Sequence, residues 1–271
     1  MGGVTMTLVP LEPEQLIHGL PWPPSVASFE SRPLLPGAGV DWLTNDIVQA
    51  ILGAAIAIAF WLIVSHHQKV VPGKRQFVGE FLYNLIRNTI AREMIGADYR
   101  KFLPYLVALF TFILVNNWFG ETFVFMFPTF SKVGYAYGLA LLSWLLYNGI
   151  GIAKYGPLKY LKKTCLPEGV PVAFWIILIP LEFISNIIVR PITLALRLFG
   201  NMFAGHLIMM VFVVGGTILL QSGVLLALAG GVSVVLSFLL MGLELFIGAL
   251  QAYIFTVLTA QYVGSALAEE H

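Results

Sequence analysis

Between Gly169 and Ala268 the chain carries only four formal charges, Glu182, Arg190, Arg197 and Glu244, together with a single histidine, His206. Ionisable side chains are costly inside apolar helices and persist there chiefly where they serve an ion path or a partner charge. Their angular positions carry further information. At about 100° per residue, Ser233, Ser237, Gln251 and Tyr262 project within roughly 20° of Glu244, which makes one polar stripe on a helix otherwise built from Leu, Phe, Ile and Val. Gly248 lies near the same stripe and leaves room for a close neighbour. On the preceding helix, Asn186, Arg190, Thr193 and Arg197 fall within roughly 80° of Glu182, whereas His206 projects about 180° from Arg197. Asn201, one turn past Arg197, lies between the two in angle. Two polar environments on opposite sides of one helix suit a protein that takes up a proton from one face of a membrane and releases it to the other.

Simpler roles compete for some of these residues. Arg190 and Glu182 could form a purely structural ion pair. Ser233, Ser237 and Thr193 could serve packing, since small hydroxyls satisfy backbone carbonyls of neighbouring turns. Asn116 and Asn117 fit an interfacial role as well as a functional one. For Arg197, His206 and Glu244 the functional reading is the stronger.

The elements that position these residues are transmembrane helices. Of 271 residues, 58% are hydrophobic and 11% charged, against about 25% charged in ordinary soluble domains. Segments of about 20 apolar residues cross a bilayer, and spans are expected at about 47–64, 102–119, 133–153, 172–214 and 224–265. The fold class is all-α integral membrane protein with about five transmembrane helices, the last two forming a long, tilted hairpin. Gly215-Gly216 and Gln221-Ser222-Gly223 are the break signals between those two, with Gly230-Gly231 a rival; Pro180 and Pro191 are expected bending points. Residues 1–45 read as an extramembrane leader and 46–271 as a single membrane domain. Between the first two spans, Glu80, Asn84 and Arg87 fall on one side of a helical projection, with Val78, Phe81, Leu82 and Leu85 on another. This predicts an amphipathic helix on the cytoplasmic surface, the alternative being a short helix packed on its neighbours.

Lys and Arg concentrate in the 69–101 and 154–163 segments, while 120–132 has one, Lys132. The positive-inside rule therefore puts the first two in the cytoplasm, the N-terminus outside and the C-terminus inside. A net charge of +1 gives no field for nucleic acid. The lone Cys165 allows no internal disulfide, no Cys/His spacing suggests a metal site, and no glycine-rich phosphate loop occurs, so neither metal nor cofactor is expected. The lack of an internal repeat weighs against the competing reading of a proton-coupled secondary transporter that binds a solute at Arg197, Glu182 and Glu244.

The run Arg190-Pro-Ile-Thr-Leu-Ala-Leu-Arg197-Leu-Phe-Gly-Asn201-Met-Phe-Ala-Gly205-His206 resembles the signature of subunit a of the F-type ATP synthases, and Glu244-Leu-Phe-Ile-Gly248-Ala-Leu-Gln251-Ala-Tyr-Ile-Phe is similar to that family's last helix. The resemblance covers the whole chain, most strongly from Leu181 onward. It implies a stator subunit of the Fo motor, without a catalytic site of its own, in the energy-transducing inner membrane of a bacterium. Its implied partners are the c-ring, the subunit b peripheral stalk, other Fo and F1 subunits and membrane lipids. Arg197 would be the essential arginine facing the ring carboxylate, with Asn201 and Gln251 as polar neighbours. His206 and Glu244 would line the half-channel open to the outside, with the acid and imidazole exchanged relative to some family members. Glu182 matches the family's cytoplasmic-side acid with a register offset of about one residue. Where many members carry a carboxylate after the asparagine of the second span, this chain has Phe119, with Glu121 a candidate substitute.

Overall fold

The structure, a computed structural model, describes residues 43–66, 68–121, 128–166 and 174–268, with 16–17, 20–21, 23–24 and 29 of the leader. Nine α-helices account for most of these residues, and five helical stretches are long and apolar enough to cross a membrane. The strand content described is a two-rung antiparallel pairing of Leu16–Ile17 with Leu20–Pro21. Most of the expected leader, 1–45, lies outside the described residues.

Helix α1 (Asn45–Ser65) packs against α4 (Tyr99–Gly120) through small and polar residues. Gly53 sits directly on the Asn116 amide, Gln49 donates to the Asn116 carbonyl at 3.5 Å, and Trp61 donates to Thr111 at 3.0 Å. In an apolar solvent such close approach and internal polar pairing hold helices together, because burying apolar surface brings little gain there. Between them, α2 (Lys74–Asn84) runs through a π-helical segment, Leu85–Ala91, into α3 (Arg92–Ile95). Its two halves divide the expectation made for it. Phe77, Val78 and Phe81 in α2 are exposed, whereas Ile86, Ile90 and Ala91 in the π segment are fully buried against neighbouring helices. Gly96, at φ 75°, turns the chain into α4, a left-handed conformation that costs glycine nothing.

Helix α5 (Val133–Tyr155) and the short basic α6 (Pro157–Cys165) lead to the last hundred residues. There α7 (Trp175–Phe183) continues through a second π-helical segment, Ile184–Val189, into α8 (Arg190–Gln221). The π segment lies between the two prolines singled out as bending points. Pro191 has no N–H to give the preceding turn, and the carbonyl of Ile187 is bonded instead by Trp144 of α5 at 2.9 Å. Helix α8 passes straight through Gly215 and Gly216, past the expected end near 214, and stops at Gln221; the reversal falls at Gly223, whose φ of 116° demands glycine. Gly216 and Gly230 are contact residues, not breaks: a Cβ on Gly230 would lie 2.7 Å from the Gly216 carbonyl oxygen.

Helix α9 (Val224–Leu267) has 44 residues, about 66 Å at 1.5 Å per residue, roughly twice the hydrocarbon thickness. Many of its large apolar residues between Val224 and Leu250 are exposed, among them Leu225, Leu228, Val235, Leu239 and Phe246. A helix so long and apolar stays within the hydrocarbon layer only when steeply inclined. Sidedness follows from contacts between element ends. Asp46 at the start of α1 is ion-paired with Lys132 at the start of α5, so these ends share one face. Lys154 donates to the Leu267 carbonyl at 2.8 Å, and Gly264 admits the Met94 backbone, so α6, α3 and the end of α9 share the other.

Candidate functional site

The α8–α9 pair and the C-terminal end of α4 assemble the polar residues into two separate groups. In the first, His206 is fully buried on the side of α8 that faces the end of α4. Its Nε2 lies 3.0 Å from the Gly120 carbonyl and its Nδ1 3.4 Å from Oε1 of Glu121. A carbonyl only accepts, so Nε2 carries a proton and Nδ1 is the atom turned toward the carboxylate. Glu244, buried on α9, reaches across to Gly205, where its carboxylate fills the space a β-carbon would need. Ligand atoms of Glu121, His206 and Glu244 all lie within 4.8 Å of one another. Oε2 of Glu121 and Oε2 of Glu244 are buried with no hydrogen-bond partner among the described residues.

The same group extends along α4. Asn117 donates to the Gly248 carbonyl at 3.0 Å, and Trp118 donates to the Leu245 carbonyl at 3.0 Å. Gly248 is small because Asn117 lies there, its Cβ 3.2 Å from where a Gly248 Cβ would stand. Asn116 accepts from Thr129 at 3.2 Å. The two asparagines are therefore buried and hydrogen-bonded into the bundle.

The second group lies at the opposite membrane face. Tyr147, Tyr160, Lys163, Thr164, Asn186 and Arg190, with Tyr262 and Ser265, surround a cavity of about 160 Å³. Glu182 and Arg190 are not ion-paired: Glu182 accepts from Asn186 at 2.8 Å, while the Arg190 guanidinium sits 5.1 Å from the centre of the Tyr262 ring, a cation–π contact. Asn186 also donates to the Thr164 carbonyl at 3.0 Å. Tyr262 thus belongs to the cavity, while Ser233 and Ser237 on the same stripe bond to the Phe212 and Val234 carbonyls, which are packing contacts.

Arg197 belongs to neither group. It is exposed on the open side of α8, beside the exposed Leu196 and Ile192, and no carboxylate pairs with it among the described residues. Asn201, exposed one turn on, donates to Oε1 of the buried Gln251 at 2.9 Å, which ties the arginine-bearing turn to α9.

The family model described as ATP synthase A chain matches residues 47–264. The chain belongs to this family. It is 46% identical over 230 residues to ATP synthase subunit a of a Nocardioides species, covering 84% of this chain and 83% of that one. It is 40% identical over 258 residues to ATP synthase subunit a of Pseudarthrobacter chlorophenolicus, covering 92% and 94%, and 42% identical over 258 residues to that of an Arthrobacter species, with the same coverage. Both polar groups and Arg197 fall within the residues the family model matches, apart from Ser265 and Ala266 at the cavity's edge.

Of the residues singled out from sequence, His206 and Glu244 converge, Asn201 and Gln251 bond to each other, Arg197 stands alone on the open face, and Glu182 lies beside the second cavity without lining it. Glu121 is the residue that helical projection could not supply. It lies one residue beyond α4, 85 positions before His206, and only the folded chain brings it into the first group.

Proposed function

We propose that this chain is the stationary subunit a of a proton-driven ATP synthase, conducting protons past a rotor of small helical subunits without chemistry of its own. The observation that carries this reading is Arg197, without a carboxylate partner among the described residues, on an apolar, open helix face. Guanidinium stays charged at any physiological pH, and a lone charge facing hydrocarbon is costly. On this reading the compensating carboxylate comes from another chain, and a ring of subunits with one intramembrane carboxylate each, the c-ring, supplies it repeatedly.

The two polar groups then act as half-paths. Glu121, His206, Glu244 and the Asn117 amide form the route from the outer face; a proton passes between carboxylate and imidazole because adjacent atoms in the cluster differ only in which one holds it. The cavity around Tyr147, Arg190 and Tyr262, with Glu182 and Asn186 at its side, forms the route to the cytoplasm. Between them Arg197 favours the deprotonated form of each ring carboxylate that arrives. Its positive charge also repels a proton crossing directly from one half-path to the other, which would dissipate the gradient without rotation. The hydrogen bond of Asn201 with Gln251 holds that turn of α8 in register with α9.

The orientation follows the Lys/Arg distribution: α2, α3, α6 and the C-terminus in the cytoplasm, the start of α1 and the 121–132 connection outside, in a bacterial inner membrane, with subunit b and other Fo and F1 subunits as further partners. Single cysteines introduced into the 154–163 and 121–132 segments, in a Cys165→Ser background, test it with an impermeant thiol reagent on intact cells. Only the second should label, and the reverse pattern would invert the topology. The mechanism is tested by Arg197→Ala, which should abolish both ATP synthesis and ATP-driven proton pumping in vesicles while the complex still assembles, since the side chain packs against little of its own chain. Near-normal coupled pumping would overturn it.

A further inference from the structure

We infer that the cavity around Arg190 binds the phosphate headgroup of an anionic phospholipid, one of whose acyl chains lies in the apolar groove that continues from it along α5 and α8. The cavity is lined by two cations, Arg190 and Lys163, and by no carboxylate among the described residues. Most neutral polar groups of its wall have already spent their protons. The Asn186 amide gives both N–H bonds away, to Glu182 and to the Thr164 carbonyl, and Tyr160 donates to Asn148 at 3.2 Å. What remains is a set of unused donors. Tyr147 is 3% exposed, and its hydroxyl is buried with no hydrogen-bond partner among the described residues. Arg190 lays the face of its guanidinium on Tyr262, which leaves the N–H edge free, and that edge matches a phosphate group in two-point geometry. Lys163 donates to the Ala268 carbonyl and keeps two further N–H bonds. Water could satisfy the phenol, but two cations beside it call for an acceptor that is also negatively charged.

The groove identifies the source of that phosphate. It has a volume of about 380 Å³ and is walled by Tyr137, Leu141 and Trp144 on one side and Ile188, Pro191 and Ile192 on the other. Trp144 stands one turn before Tyr147 on α5, and Pro191 follows Arg190, so groove and cavity adjoin along the same two helices. The groove lies on the side of the cavity away from Tyr155 and the basic α6, hence deeper in the membrane. Its polar rim is already satisfied, since the Trp144 N–H goes to the Ile187 carbonyl, and what it presents is hydrocarbon. Free phosphate would fill the cavity and leave the groove bare, whereas a phospholipid fills both. Basic pockets between transmembrane helices take up anionic headgroups in this way. The bound phosphate also compensates Arg190, whose charge would otherwise repel protons leaving by the route proposed for this cavity. Binding itself stands apart from that route.

The test uses the intact, detergent-purified complex, stripped of lipid, with Ser265→Cys in a Cys165→Ser background. Ser265 is exposed at the edge of the cavity, so the rate at which a maleimide labels the introduced thiol reports occupancy. Phosphatidylglycerol should slow labelling by about tenfold or more, at concentrations where diacylglycerol with the same chains and inorganic phosphate have little effect. Adding Arg190→Gln or Lys163→Gln should raise the phosphatidylglycerol needed for half-protection by about tenfold, the loss expected for one charged hydrogen bond. Equal protection by diacylglycerol would show that the headgroup is not read and would overturn the site. Protection by inorganic phosphate alone as strong as by the lipid would overturn the lipid as occupant. So would an absence of protection, or the same half-protection in both variants as without them. Labelling reads occupancy and not transport, so a failure of the proton path would leave each of these results standing.

Discussion

Gly205→Ala places a single methyl group against the carboxylate of Glu244 and should uncouple the site from the stability of the protein. A β-carbon at this position would overlap both carboxylate oxygens, so the carboxylate must retreat by more than about 1 Å to reach normal contact. Overpacking of this kind costs about 1–3 kcal/mol. Replacing glycine by alanine in a helix interior returns about 1 kcal/mol, and Oε2 of Glu244 has no hydrogen bond to lose. The net cost to folding is therefore at most about 2 kcal/mol, and the complex should assemble. Transfer between neighbouring groups is far less tolerant, since a displacement of about 1 Å can cost on the order of a hundredfold in rate. ATP-driven acidification of inverted vesicles should thus fall by about tenfold to a hundredfold, with subunit content unchanged on purification. Adding Glu244→Asp, which shortens the side chain by one methylene, should recover part of the loss. Wild-type pumping by Gly205→Ala would show that Glu244 does not work where it stands, and a double variant no better than Gly205→Ala would remove the steric explanation.

Exchanging the two facing groups, His206→Glu with Glu244→His, should restore more pumping than either single change, because an imidazole and a carboxylate still meet across α8 and α9; a double variant no better than the worse single would argue against the pair. Trp144→Phe leaves the Ile187 carbonyl without its donor and should cost about 1–3 kcal/mol, read as a lower thermal midpoint of the purified complex. Adding Pro191→Ala, which supplies a backbone N–H on the next turn, should regain part of it, and an unchanged midpoint for Trp144→Phe would show that this carbonyl finds another partner.

The spans and the polar residues on them were legible because each charge in an apolar run stands out against its cost. Which residues pair was not, because pairing depends on distance in three dimensions. Glu182 and Arg190 are separated by the π-helical segment Ile184–Val189, across which the α-helical projection does not hold; Glu182 accepts from Asn186, and the arginine takes the face of Tyr262 on α9. Glu121 stood only as a candidate substitute for the carboxylate missing at Phe119, because it follows the second span; its position just past the last turn is what lets it reach His206. The glycines divide by the same logic. Gly223 ends a helix through a positive φ, whereas Gly216 and Gly230 let two helices touch, and composition alone does not separate the two uses.

The arrangement also explains why one chain needs both a buried cluster and an exposed arginine. Glu121, His206 and Glu244 are drawn from three different elements and meet inside the bundle, and in the proposed mechanism a proton held there exchanges along the outer half-path. The proposed role of Arg197 asks for the opposite: were it buried beside Glu244, the pair would neutralise itself and leave nothing to act on a passing carboxylate. A half-turn of helix is enough to keep them apart. Nine residues separate Arg197 from His206, which at about 100° each directs one side chain to the open face and the other into the core. The hydrogen bond between Asn201 and Gln251, at 2.9 Å, falls on the turn between them. The rotation of α8 against α9 is thereby fixed where a slip would carry the charge toward the cluster it must remain separate from.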